Sequence, residues 1–115
     1  MIRELEEEYY VGEGGFAFVV KTGIDMSSLQ DGEIMGVIKR PNDSIVKRSI
    51  PTVKISDTAT GTVSFDIVAT DFTMPGTYSV QIFVKDADTS VARPSHPFTF
   101  TVNGALVKDA DALFV

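Results

Sequence analysis

The chain has 115 residues, 43% hydrophobic and 23% charged, which suits one ordinary globular domain with its own core. It carries no cysteine, which excludes a disulfide framework and a thiolate metal site. A formal charge of −6 and a sequence pI near 4.6 disfavour nucleic acid, and no apolar run approaches the roughly 18–20 residues of a membrane span, so no membrane insertion is expected.

The opening run contains Glu4, Glu6, Glu7 and Glu8, which argues against a signal peptide, since that needs a basic and then apolar start. Leu5 and the glutamates are good helix formers, but the run is short and passes into Tyr9-Tyr10-Val11 and Gly12. The sequence therefore predicts an extended arm joining an edge strand. The acid cluster reads as a solvated edge that discourages sheet-to-sheet aggregation, ahead of a cation site. Gly12-Glu13-Gly14-Gly15 is a turn. Residues 16–22 are apolar on both faces, which predicts a central strand buried on both sides or covered by a partner. Residues 23–32 form a polar loop from which Met26 and Leu29 fold inward as a cap.

Residues 33–39 read as a strand, and Gly36 within it signals a bulge or the close approach of another backbone. Arg40-Pro41-Asn42-Asp43-Ser44 is a turn cluster, from which residues 45–48 pair back as a hairpin. After Pro51, residues 53–55 read as a short edge strand, and 57–61 as a loop. In residues 62–68, Val63, Phe65 and Ile67 point in while Ser64 and Asp66 point out. Phe72 is an inward anchor in the crossover that follows. The clearest strand comes after the Pro75-Gly76 turn: Tyr78, Val80, Ile82 and Val84 share one face, and Thr77, Ser79, Gln81 and Lys85 the other. Residues 87–96 read as a loop, too rich in proline at Arg93-Pro94-Ser95-His96-Pro97 for helix. Phe98, Phe100 and Val102 face inward on the last strand.

Short strands separated by turn clusters every 8–12 residues or so predict an all-β fold. The expectation is an immunoglobulin-like antiparallel β-sandwich of about seven to eight strands over residues 1–103. Residues 104–115 are a C-terminal tail or linker. Leu106, Val107, Leu113, Phe114 and Val115 make it too apolar for a free solvated tail. It packs as a short helix, meets another subunit, or continues a longer chain. Phe18, Phe65, Tyr78, Val80, Ile82, Phe98 and Phe100 form the expected core, at roughly 1.5–3 kcal/mol for each large side chain buried. Tyr78 has the placement of a tyrosine corner, in which a tyrosine near a strand start bonds back to upstream backbone. The absence of cysteine and tryptophan argues against an antibody-type domain.

No constellation for chemistry emerges. His96 is the single histidine, and there is neither a cysteine nor a Gly-x-Ser-x-Gly motif to serve as nucleophile. The pairs Asp86/Asp88 and Asp109/Asp111 offer too few oxygens for calcium, which takes six to eight, and turn or helix-start roles explain them better. The glycine turn lacks the Gly-Lys-Ser/Thr ending of a phosphate loop. Catalytic, cofactor-binding and metal residues are all expected to be none. Tyr9 and Tyr10 could stack on sugars, although adjacent strand residues face opposite ways, so one of the two belongs to the core.

The order of features resembles the N-terminal domain of phage baseplate upper proteins, the adaptors of Gram-positive tailed phages. The residues that carry the resemblance begin with Gly12-Glu13-Gly14-Gly15-Phe16-Ala17-Phe18, the Ile24-Asp25-Met26 loop and the Lys39-Arg40-Pro41-Asn42-Asp43 hairpin. They continue with the turn from Asp57 to Gly61 leading into Val63-Ser64-Phe65, the Pro75-Gly76-Thr77-Tyr78 strand start and the closing Ser95-His96-Pro97-Phe98-Thr99-Phe100-Thr101-Val102. The pattern spans roughly residues 9–102, and only its order is specific. The resemblance implies a non-enzymatic virion structural protein of the tail or baseplate, made in the host cytoplasm. It would be a homo-oligomer that docks on other tail or baseplate proteins and positions receptor-binding proteins. Tyr9, Tyr10, Phe16, Leu113, Phe114 and Val115 are the expected contact residues, with a carbohydrate-binding or adhesion module as the alternative.

Overall fold

Period-2 alternation builds nine strands among the described residues, which in this computed structural model are 8–85 and 92–104. In chain order they are β1 (Tyr9–Tyr10), β2 (Phe16–Lys21), β3 (Ile34–Lys39), β4 (Ile45–Ser49), β5 (Ile55–Asp57), β6 (Thr62–Ile67), β7 (Gly76–Lys85), β8 (Ala92–Pro94) and β9 (Phe98–Asn103). A short 3-10 turn, Thr52–Lys54, precedes β5. The large sheet runs β1-β9-β7-β3-β4, with β8 also on β7, and the small sheet runs β2-β6-β5. The two pack face to face as an immunoglobulin-like β-sandwich.

The core lies where the inner faces meet. Phe18, Val63, Phe65 and Ile67 from the small sheet face Ile34, Ile38, Tyr78, Val80 and Ile82 from the large one, with Phe72 and Met26 closing the ends. Tyr78 forms the expected corner. Its hydroxyl donates to the Met74 carbonyl at 2.7 Å and accepts the Met74 N–H at 3.2 Å. A second tie joins the sheets. Arg48 on β4 forks onto both oxygens of buried Asp71, at 3.0 and 2.8 Å, and onto the Asp66 carbonyl at 2.7 Å. Asp71 also accepts the Val68 N–H at 2.9 Å, so its carboxylate is fully paired. Arg40 donates to the carbonyls of Asp71 and Thr70 from the other side, both at 3.0 Å.

Several expectations need correction. Strand β2 is first in the small sheet rather than central. Its continuous apolarity has another cause: Phe16, Phe18 and Val20 point into the core, small Ala17 lies beside the 3-10 turn, and Val19 is 48% exposed. Gly36 is no bulge, since register runs unbroken through Gly36↔Ile82 and Gly36↔Arg48. What approaches it is a ring: a Cβ on Gly36 would stand 2.7 Å from Phe65. Residues 87–96 are not wholly loop, because Ala92–Pro94 pairs with β7. Between β8 and β9 the chain steps inward at Ser95, whose Oγ accepts the Ile82 N–H at 3.0 Å while its own N–H donates to the Ile82 carbonyl at 2.7 Å. The sandwich is not purely antiparallel either, since β1 runs parallel to β9. Residues 53–55 divide between the 3-10 turn and the start of β5.

Candidate functional site

The two adjacent tyrosines of β1 part company, as a pleated strand requires. Tyr9 is 1% exposed, its ring centroid 5.4 Å from Phe100, 5.5 Å from Phe18 and 5.7 Å from Phe16. Phe16 is buried as well. Tyr9 and Phe16 are therefore corrected from contact residues to core residues: each serves the aromatic cluster that joins the two sheets. Tyr10 is 39% exposed and donates its hydroxyl proton to Glu8 Oε2 at 2.7 Å. That bond, and then the Glu8 charge, raises the Tyr10 pKa above its ordinary value. Leu113, Phe114 and Val115 lie outside the described residues. Tyr78 is buried like Tyr9, so Tyr10 alone of the three tyrosines offers an exposed ring, short of a sugar-stacking platform.

The surface that sequence reading missed is the outer face of the large sheet. Register pairs Met35 with Phe83 and Ser49, Val37 with Gln81 and Lys47, and Lys39 with Ser79 and Ile45. All of these point away from the core, because their neighbours Ile34, Ile38, Val80 and Ile82 point into it. The outcome is an apolar strip of Met35, Val37, Ile45 and Phe83 running across β3, β4 and β7. Ile45 is 49% exposed, and the other three are half-buried. Phe83 stands between two shallow grooves. One, of about 210 Å³, runs over Val37, Ile45, Gln81 and Pro97; the other, of about 200 Å³, runs over Met35, Lys85 and Ala92. Lys39, Lys47 and Lys85 flank the strip, with Glu33 beside Met35 and Lys85. Lys39 meets Asp43 at 3.3 Å, whereas Lys47 and Lys85 extend from exposed positions. The one signal in the sequence is Phe83, an apolar residue on the otherwise polar side of β7.

A larger groove of about 370 Å³ lies on the outer side of the small sheet, over Ala17, Ser64 and Ile55. The Lys54–Asp66 ion pair, 3.2 Å long, spans its floor residues. Neither surface gathers groups for catalysis. His96 is exposed, with Nδ1 3.0 Å from the Pro97 carbonyl oxygen. Among the described residues no three His, Asp or Glu side chains converge in a way that could hold a metal ion. Asp25 and Asp31 instead accept backbone N–H groups, from nearby Ser27 and from Thr52 respectively, which hold both carboxyls below the usual aspartate range. The Asp86/Asp88 and Asp109/Asp111 pairs lie outside the described residues. No protein-family model matches the chain, and no curated protein matches it in sequence.

Proposed function

We propose that this chain is a non-enzymatic structural domain of a phage tail or baseplate, acting by protein–protein assembly in the virion and helping to position receptor-binding proteins. The ordered resemblance from Gly12 to Val102 supplies the phage setting. The observation that carries the assembly role is the outer face of the large sheet. An apolar strip rimmed by charged residues, Glu33 among the lysines, without a deep cleft or converging polar groups, has the composition of a docking surface and not of a substrate pocket. Homo-oligomerisation is part of the reading, because virion rings repeat one contact around an axis. Light scattering after size exclusion tests it. A mass that is a fixed multiple of the monomer is expected over a range of protein concentrations. A monomer at every concentration, including under low salt, overturns it.

A further inference from the structure

The chain has two asparagines, Asn42 and Asn103, and their surroundings differ in what decides whether an asparagine loses its side-chain amide. That loss requires the backbone nitrogen of the next residue to attack the side-chain carbonyl carbon. At Asn42 the attacker is occupied, because the Asp43 N–H donates to the Arg40 carbonyl at 2.9 Å. The target is held as well: Asn42 Oδ1 accepts the Ser44 N–H at 3.1 Å and the Ser44 hydroxyl at 2.7 Å. Asp43 also carries a side chain that crowds its own nitrogen. Asn103 is the last residue of β9, and exposed Gly104 follows it outside any strand. Among the described residues, a Cβ at Gly104 would come no nearer than 3.9 Å to any atom beyond its chain neighbours, and that atom belongs to Pro75. A glycine there leaves its nitrogen sterically open and its backbone free to turn. The Asn103 carbonyl accepts the Val11 N–H at 3.0 Å. A donor on that oxygen polarises the amide joining Asn103 to Gly104 and makes the Gly104 N–H easier to ionise.

We infer that Asn103 is a site of spontaneous deamidation in the folded protein, with water and hydroxide as the only co-reactants. The Gly104 nitrogen gives its proton to hydroxide and attacks Cγ of Asn103. The N–Cγ bond forms and the Cγ–Nδ2 bond breaks. The departing nitrogen takes a proton from water and leaves as ammonia, which restores the hydroxide. The five-membered succinimide that remains is opened by water. Opening at Cγ gives aspartate. Opening at the main-chain carbonyl gives isoaspartate, in which the chain runs through the former side chain and is longer by a methylene. Either product places a new negative charge beside Tyr10, the register partner of Asn103, whose hydroxyl already bonds Glu8. The modification therefore falls on the pairing of β1 with β9.

The full chain held in mildly alkaline buffer, with the same chain in urea alongside, provides the test. Samples taken at intervals are digested and read by mass spectrometry. In the folded protein the peptide containing Asn103 is expected to exchange amide for acid, while the peptide containing Asn42 stays unchanged. Part of the product is expected to accept a methyl group from protein isoaspartyl methyltransferase, which marks the isoaspartate form. Conversion is expected to quicken as pH rises, because hydroxide removes the Gly104 proton. Gly104→Ala, for which the space beside Pro75 leaves room, is expected to slow it severalfold. Conversion of Asn103 in urea but not in the folded chain overturns the inference, since the end of β9 would then protect the site. Equal conversion of Asn42 and Asn103 in the folded chain also overturns it, as does a rate indifferent to Gly104→Ala.

Discussion

At the scale of single residues, Asp71 is the charge on which the two sheets depend. It is 1% exposed, and its oxygens are taken by Arg48 and by the Val68 N–H. Arg48 also spans to the Asp66 carbonyl and lies over the Phe65 ring, 5.7 Å from its centroid. Removing the arginine leaves a buried carboxylate with one donor, which costs far more than an exposed ion pair is worth. Arg48→Ala is expected to lower unfolding stability in urea by about 3 kcal/mol. Arg48→Lys should recover only part of that, since an ammonium cannot make the fork. An unchanged urea midpoint for Arg48→Ala would show that the pair is not a tie between the sheets. Nothing in the sequence joins Arg48 to Asp71. They are 23 positions apart, and only the crossing of β4 with the β6–β7 connection brings them together. Tyr78 was legible for the opposite reason. Its partner is Met74, four residues upstream, so the corner is local enough to show in the sequence.

Among elements, β3 shows how a strand can be read correctly while its reason is misread. The sequence placed a strand at residues 33–39, but Gly36 within it predicted a bulge or a backbone neighbour. The structure puts the Phe65 ring there, from β6 of the opposite sheet. Glycine within a strand ordinarily weakens it by about 0.5–1 kcal/mol relative to alanine, so Gly36→Ala would stabilise an open position. Here the added Cβ would meet three ring carbons at 2.7–2.9 Å, and the sign reverses. We expect Gly36→Ala to destabilise by about 1–3 kcal/mol, and by clearly less when Phe65→Leu is already present. Additive effects in a double-mutant cycle would sink this account of the glycine. Strand β2 shows the limit of hydrophobic pattern. Its run Phe16-Ala17-Phe18-Val19-Val20 cannot by itself distinguish a strand covered on both sides from one whose outward positions hold a small alanine and an exposed valine. The outer face of the large sheet stayed hidden for a related reason. Met35, Val37, Ile45 and Phe83 come from three strands, and each alone looks like one apolar residue out of place.

For the molecule as a whole, acid is the informative stress. Asp25 and Asp31 are held below the usual aspartate range by backbone donors, Asp31 by the Thr52 N–H at 2.8 Å, which fastens the loop before β3 to the 3-10 turn. A carboxyl with a lowered folded pKa adds stability that is fully present above its unfolded value, near 3.9. That stability is lost as pH falls through the folded value. Stability is therefore expected to be flat with respect to these two groups near neutrality and to decline below about pH 4. In Asp31→Asn the acid-induced decline should be shallower. An identical pH profile of the unfolding midpoint in the variant would remove Asp31 from the explanation. The sandwich as such was legible, since alternation and turn residues recur along the whole chain, and so was an opening arm at a sheet edge, but its parallel course was not. Two residues of β1 lie parallel to β9, Tyr9 beside Val102 and Tyr10 beside Asn103, with the Val11 N–H adding a bond to the Asn103 carbonyl at 3.0 Å. Because the two strands run the same way, the chain enters beside the end of β9, at Val102, and leaves just past Asn103. Tension pulled through residues 8 and 104 would then load these rungs sideways and together, in shear, instead of peeling them one by one. The short β1–β9 pairing is a clasp loaded along its own strands.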